Sequence, residues 1–278
     1  MNKTISESRI VTNCDFCNSD KLEILDSAVD VVKCSVCGYI FVSKQPDLAE
    51  IDRLYPEIHY EQWYKNEPGR IKMWGKRVDF VNKFIDSGNS LDIGCGDGYF
   101  ISLMKNRGFN VLGTETSSGA VKYAKEKRGL DIYHGDAINL DSGYNNYFDL
   151  VTLWHVLEHV PSPSKILEKV KRICKKNGII VIAVPNHYNW KLPLKKLLNK
   201  KIFYQFSERD EVHLSHFSCS TLKKYLQKFN FEILDFGADD FYPEPDLLTG
   251  FRYFINNSIL SKLNVNISST IRVVAVNK

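Results

Sequence analysis

The chain reads as an α/β protein: a doubly wound, mostly parallel seven-stranded sheet with a small cysteine ribbon ahead of it. Three features carry that reading. Leu91–Phe100 runs from an apolar strand through Gly94, Gly96 and Gly98 into the start of a helix. Between residues 70 and 184, apolar runs of strand length alternate with segments of helical periodicity, the pattern of parallel βαβ units. Before both lie two Cys-x-x-Cys pairs. The expected boundaries are 1–45 for the ribbon, 46–69 for a linker and 70–278 for the main domain, with cap insertions near 187–212 and 238–269.

Size and composition agree. The 278 residues accommodate a domain of about 200 residues and a small one. At 44% hydrophobic and 25% charged residues, the chain is expected to fold rather than stay disordered. A net charge of +4 permits an acidic partner without demanding one. Met1–Arg9 is polar and lacks the apolar stretch of a secretion signal. The longest apolar run, Ile179–Val184, is far short of the about 20 residues that span a bilayer. A cytoplasmic protein is expected, in which the seven cysteines read as metal ligands or reduced thiols before disulfides.

Cys14 and Cys17 are followed, after sixteen residues, by Cys34 and Cys37. This is the spacing of a four-cysteine zinc ribbon, because two intervening residues let both thiolates of a pair reach one ion from a tight turn. Gly38 suits the second knuckle, and Leu22–Leu25, Val29–Val32 and Tyr39–Val42 read as short strands. A closed four-sulfur site leaves no open coordination position. The ribbon is therefore either a platform that helps hold substrate or a staple for the fold, and the staple is preferred for the metal itself. Pro46–Tyr64 reads as a linker with a short helix. Its Tyr55, Tyr60, Trp63 and Tyr64 either line a substrate entrance or, as preferred, pack the ribbon onto the main domain.

The main domain opens on a helical stripe of Ile71, Trp74, Val78, Val81, Phe84 and Ile85. Ser87-Gly88-Asn89 turns the chain into the strand at Leu91, and Tyr99–Arg107 is the next helix, stopped by Gly108. Glycines at alternate positions let the backbone turn tightly and let a ligand lie against it, and the helix beyond points free N–H groups at that ligand. The spacing is Gly-x-Gly-x-Gly with Asp92 two places ahead, not the Gly-x-Gly-x-x-Gly of dinucleotide folds. Here the chain resembles the class I S-adenosylmethionine-dependent methyltransferases, whose first motif looks like Leu-Asp-Ile-Gly-Cys-Gly-x-Gly. The resemblance implies their Rossmann-like fold and S-adenosylmethionine as cofactor, contacted by Gly94, Cys95, Gly96 and Gly98, with Asp92 near its methionine end.

Asn110–Gly113 is the second strand and Glu115 lies at its end. The resemblance puts the ribose-binding acid there, with Thr116 beside it, and a carboxylate accepts two hydroxyl donors well. The plainer alternative is a solvent-facing loop carboxylate. Ser117–Lys127 is helical with Ser117 as N-cap. After a short strand at Ile132-Tyr133, the resemblance assigns the adenine amino group to Asp136 and a ring contact to the backbone N–H of Ala137. Phe148–Trp154 is the fourth strand, with Trp154 counted among the cofactor residues. It runs into His155-Val156-Leu157-Glu158-His159-Val160-Pro161, which resembles the segment after that strand in the small-molecule branch of the family, the ubiquinone-biosynthesis-type and sugar O-methyltransferases.

Ser162–Lys176 is a helix closed by Asn177-Gly178, and Gly178–Val184 is a wholly apolar strand suited to the centre of a parallel sheet. Lys191–Lys201 alternates lysines with leucines. It reads as an amphipathic lid helix, or alternatively as a contact for phosphate or a membrane surface. His213-Leu214-Ser215-His216-Phe217 precedes a helix over Ser220–Phe229, and similar enzymes carry a His-x-x-His-Phe-like stretch there. Phe231–Phe236 and Thr270–Val276 are expected to close the sheet as an antiparallel pair. The intervening Ala238–Ser269, with Phe241, Tyr242, Phe251, Tyr253 and Phe254, is too long for a turn and reads as an inserted cap.

Methyl transfer to a hydroxyl needs a base, and a histidine suits the task. His155, at the carboxyl end of the fourth strand, is the first candidate. His159 shares its face if the segment is helical, and His213 and His216 are the others; each is also readable as a hydrogen-bonded structural histidine. A divalent metal on Glu158 and His159, joined by His213 or His216, is an alternative. Some relatives use a Glu-x-x-Glu-His run that way, whereas here His155 replaces the first glutamate.

The expected function is methyl transfer from S-adenosylmethionine to a small molecule, with a sugar or sugar-nucleotide hydroxyl first. A ribbon followed by such a domain resembles enzymes of surface-glycan and secondary-metabolite pathways. One rival is a ribosomal RNA base methyltransferase whose ribbon contacts RNA. Against it, Lys21 and Lys33 are the ribbon's only basic residues between the cysteine pairs. The other rival is a non-catalytic module that senses the cofactor. Oligomeric state is not legible in the sequence.

Overall fold

The computed structural model describes residues 8–46, 67–188, 197–198, 204, 212–239, 250–251, 254–260 and 266–278. The ribbon region holds β1 (Ser8–Ile10), β2 (Leu22–Asp26), β3 (Val31–Cys34), β4 (Ile40–Val42) and β5 (Lys44–Pro46). The main domain follows as α1 (Glu67–Val81), β6 (Asn89–Ile93), α2 (Tyr99–Asn106), β7 (Asn110–Glu115), α3 (Ser118–Arg128), β8 (Tyr133–His134) and β9 (Phe148–Trp154). It continues as α4 (Pro163–Ile173), β10 (Cys174–Pro185), β11 (Ser215–His216), α5 (Cys219–Lys228), β12 (Phe231–Gly237) and β13 (Thr270–Asn277).

Seven strands form the central sheet in the order β12-β13-β10-β9-β6-β7-β8. β13 runs antiparallel to both its neighbours, and the remaining pairs are parallel. Its central strands are apolar on both faces because both faces are covered. In β10, Ile180, Ile182 and Val184 enter one core with α4, α5 and ribbon residues. Val181 and Ala183 enter the other with α1, α2 and α3. The expected doubly wound sheet and its antiparallel closing strands are present. The junction of α4 and β10 differs from the expected one: α4 stops at Ile173, and β10 begins at Cys174 with a register break before Ile179. The Asn277 side-chain amide, a partner from the far end of the chain, donates to the carbonyl of Cys174 at 2.8 Å.

The ribbon sheet has the order β11-β4-β3-β2, so its edge strand comes from the C-terminal half of the chain. An open β4 edge would present unpaired N–H and C=O groups, and β11 covers it. Ribbon residues Cys14, Val32, Tyr39 and Phe41 share a core with the central sheet. The four cysteines converge, with Sγ–Sγ separations of 3.5 Å for Cys14–Cys37 and Cys17–Cys34 and all four sulfurs within 4.8 Å of one another. Bonds of about 2.3 Å in a tetrahedron put sulfurs about 3.8 Å apart, so the donor set fits a zinc ion.

Tyr55, Tyr60, Trp63, Tyr64, most of Lys191–Lys201, and Phe241, Tyr242 and Tyr253 lie outside the described residues. Of the cap aromatics within them, Phe251 and Phe254 are exposed. Among the described residues, no helix is long and apolar enough to cross a membrane.

Candidate active site

The glycine turn follows β6 directly. Gly94 has φ +66° and Gly98 φ +72°, a region that a side chain opposes. Space excludes a side chain at both as well: a Cβ on Gly94 would meet Val156 Cγ2 at 2.7 Å, and one on Gly98 would meet Leu130 Cδ1 at 2.8 Å. At Gly96 a Cβ would meet nothing within 4 Å, so the turn is open at its middle. The contact of Gly94 with Val156 also sets the loop after β9 against the turn.

Glu115, at the end of β7, braces this turn. Its Oε2 accepts from Gly96 N at 2.8 Å and its Oε1 from Ser117 N at 2.9 Å. Each carboxylate oxygen can accept a second donor, so the brace does not exhaust the group. Burial raises the Glu115 pKa, and the backbone N–H donors oppose the rise. Asp92, in β6, accepts from Thr152 Oγ1 at 2.6 Å. Burial pushes its carboxyl up to about 7, with the Thr152 bond and the Arg77 charge pulling the other way. Asp97, between Gly96 and Gly98, is gripped by Arg70 of α1 at 3.0 Å and by Arg128 of α3 at 2.7 Å. That clamp carries no motif signature and sequence reasoning missed it.

The other expected cofactor residues fall into two groups. Asp136 caps the short helical turn beginning at Ala137, its Oδ1 accepting from Ile138 N at 3.0 Å; Ala137 is buried, and Thr116 is exposed at the end of β7. Cys95 and Trp154 are packed inward. Cys95 Sγ lies against Gly113, and Trp154 packs on Trp74 and Phe100 with the Arg77 guanidinium 4.7 Å from its ring.

The segment after β9 is a turn, not a helix, so His155 and His159 do not share a helical face. His155 itself has φ +58°. Its Nε2 lies 3.0 Å from Asp239 Oδ2 and its Nδ1 3.3 Å from Glu158 Oε1. Burial alone would lower its pKa, but the bonds to Asp239 and Glu158 outweigh that and raise it to about 9. The raised pKa disfavours the neutral imidazole that a general base needs. Asp239 is fully buried and also pairs with buried Arg77 of α1. Burial would raise its pKa, yet the Arg77 charge and the His155 bond hold it well below the carboxylate range. No sequence motif marks Asp239 or Arg77.

His159 Nδ1 lies 2.9 Å from the Val212 carbonyl and therefore donates to it, which makes Nε2 the acceptor nitrogen of the neutral ring. That Nε2 is 3.8 Å from Glu158 Oε1. His213 is buried against His159, with ring centroids 4.8 Å apart, and burial lowers its pKa to about 4. Ligand atoms of Glu158, His159 and His213 lie within 4.8 Å of one another. Glu158 is 1% exposed, and among the described residues its carboxylate is met only by the ion-pair contacts of His155 and His159. His216 sits apart from this group, in β11, packed against His187 and Tyr204. Burial holds it well below the usual imidazole pKa.

Comparison with known proteins adds to the geometry. A family model described as a methyltransferase domain matches residues 66–235. A ubiquinone biosynthesis O-methyltransferase of Pasteurella multocida is 32% identical over 110 residues, which cover 34% of this chain and 46% of that protein. The chain thus spans about half the length of that relative. The enzyme of the same name from Coxiella burnetii is 23% identical over 207 residues, covering 73% of this chain and 86% of that one. A solved SAM-dependent methyltransferase from Thermotoga maritima superposes with a TM-score of 0.56 at 19% identity, over 82% of this chain and 100% of that one, a likeness of fold.

Proposed function

The chain belongs to the methyltransferase-domain family, and from that premise we propose that it transfers a methyl group from S-adenosylmethionine to a hydroxyl group of a small molecule. The observation that carries the proposal is the braced turn, Gly96 N–H on Glu115, set beside the polar His155–His159 loop. When bound, S-adenosylmethionine supplies a methyl group on a sulfonium, open to in-line displacement. The turn and the carboxylate of Glu115 hold the nucleoside end, and Asp136 and Ala137 meet the adenine. In this reading His159 is the base. Its Nε2 takes the acceptor proton, the Val212 carbonyl fixes the tautomer, and anionic Glu158 stabilises the imidazolium that forms. The four ribbon cysteines hold a structural zinc ion.

A second reading of the same cluster is favoured by the convergence of buried Glu158 with His159 and His213, which forms a three-ligand site for a divalent cation. There the ion would polarise the acceptor oxygen. Activity that survives exhaustive chelation at the cluster, with ribbon zinc retained, overturns this reading.

Among acceptors, the sequence reading favours a sugar or sugar-nucleotide hydroxyl. The curated relatives are named for ubiquinone biosynthesis, which supports a small-molecule hydroxyl without supporting a sugar. Methyl-labelled cofactor is therefore offered with three pools: nucleotide-sugar and glycan extract, lipid-soluble phenols, and total RNA. Label in either small-molecule pool, lost in His159→Ala by about 100-fold or more, is the expected result. Label confined to RNA overturns the proposal, and tight cofactor binding without transfer to any pool points to a sensing module.

A further inference from the structure

We propose that Asp15 is a positioning residue through which the four-cysteine ribbon holds the His155–His159 loop in its working place. The inference rests on the methyl-transfer reading above. Asp15 lies inside the first knuckle, between Cys14 and Cys17, and its bonds leave the ribbon altogether. Its Oδ1 accepts from Ser162 Oγ at 2.5 Å, its Oδ2 from Ser164 N at 2.8 Å and from Tyr225 OH at 3.2 Å, and its carbonyl from Ser164 Oγ at 2.9 Å. Ser162 is the N-cap of α4 and lies three residues past His159. A carboxylate there satisfies an orphan N–H and complements the positive end of the helix dipole.

A second arm runs from the other knuckle. Tyr39, two residues past Cys37, shares a hydrogen bond of 2.5 Å with Ser215 Oγ, and Val42 N donates to the Leu214 carbonyl at 2.9 Å. Leu214 N and Ser215 N both donate to the carbonyl of Glu158, at 2.7 and 3.0 Å, and the Val212 carbonyl takes the His159 ring. The loop is thus held at its exit by the first knuckle and along its middle by the second. A zinc ion held by all four sulfurs would fix the distance between the two arms. The turn, Glu115 and Asp136 take their described hydrogen bonds from the central-sheet region and not from the ribbon, so loss of Asp15 is expected to affect turnover more than cofactor affinity.

The test uses the full-length zinc-loaded protein with Asp15→Ala, Asp15→Asn and, as a second route, Cys34→Ser. Asp15→Ala is expected to keep one zinc per chain and S-adenosylhomocysteine affinity within about 2-fold. Its kcat is expected to fall about 10-fold or more, since small misplacements of reacting groups are costly. Hydrogen exchange is expected to speed up in 155–164 but not in 89–98, and Asp15→Asn, which keeps one acceptor oxygen, to recover part of both effects. Cys34→Ser is expected to raise exchange in 155–164 and in 212–216 together. Unchanged exchange in 155–164 overturns the proposal whatever the acceptor proves to be, and so does faster exchange throughout the central sheet. If wild-type protein methylates none of the pools while exchange in 155–164 still responds, the positioning stands and the function reading falls.

Discussion

Replacing Glu115 with alanine is expected to abolish measurable cofactor binding and to loosen the glycine turn in the same stroke. Two backbone donors, Gly96 N and Ser117 N, lose their acceptor, and the site is 9% exposed, so water does not replace it fully. Hydrogen bonds to a charged group contribute about 1.5–3 kcal/mol each. The two bonds together amount to about 3–6 kcal/mol, and relief of the carboxylate's burial offsets part of it, so stability should fall by about 2–4 kcal/mol. Two further bonds to the ribose hydroxyls go at the same time, and weakening of binding by at least ~100-fold follows. Glu115→Gln should be intermediate in stability but nearly as poor in binding, because its amide group sets a donor against an N–H. Titration calorimetry with S-adenosylhomocysteine and urea unfolding read the two effects separately. Wild-type affinity in Glu115→Ala would remove the ribose assignment and leave Glu115 a purely structural brace.

The second large effect is expected at Asp239. Asp239→Ala leaves Arg77, 3% exposed, as a buried cation without its carboxylate, a loss of about 3–5 kcal/mol. It also strips His155 of the nearer of its two anionic neighbours, so the His155 pKa should drop back toward the ordinary value of about 6.5. The pH dependence has a definite sign. The folded pKa of His155 lies above its unfolded value, so the stabilisation is complete below about 6.5 and disappears as pH rises through about 9. Asp239 is depressed instead, so its contribution is present above the unfolded carboxylate value and fades only in acid. Wild-type protein should therefore lose stability between pH 6.5 and 9, and Asp239→Asn should lose less over that window. Urea unfolding across the window and imidazole NMR titration check both statements. A His155 resonance that titrates near 6.5 in the wild type would mean that the two carboxylates do not hold it charged.

Much of the framework was legible because its causes are local. Gly94 and Gly98 need left-handed backbone, and that need shows in the residue type itself. Ser117 caps α3 where a serine before a helix is expected to, accepting from Ala120 N. Apolar runs marked the buried strands, and the paired cysteines marked a site whose sulfurs do converge. The polar half of the site was harder to read. His155 looked like the base from its place after β9; Glu158 stands three residues on, but the second buried carboxylate beside it, Asp239, is remote in sequence and carries no motif. The His-x-x-His stretch carried no strand pattern, yet two of its residues pair with the ribbon.

The sequence by itself determined the order of strands and helices, the glycine turn with its acid at the next strand end, and the four-cysteine cluster. Each follows from backbone sterics, side-chain periodicity or ligand spacing, which act over a few residues. Tertiary structure alone decided that Asp239 faces His155, which edge β11 covers and what Asp15 holds. Asp239 is 84 residues from His155, and Asp15 is 147 residues from Ser162. Charge interactions and edge pairing act through space, so they exist only once folding has brought those segments together.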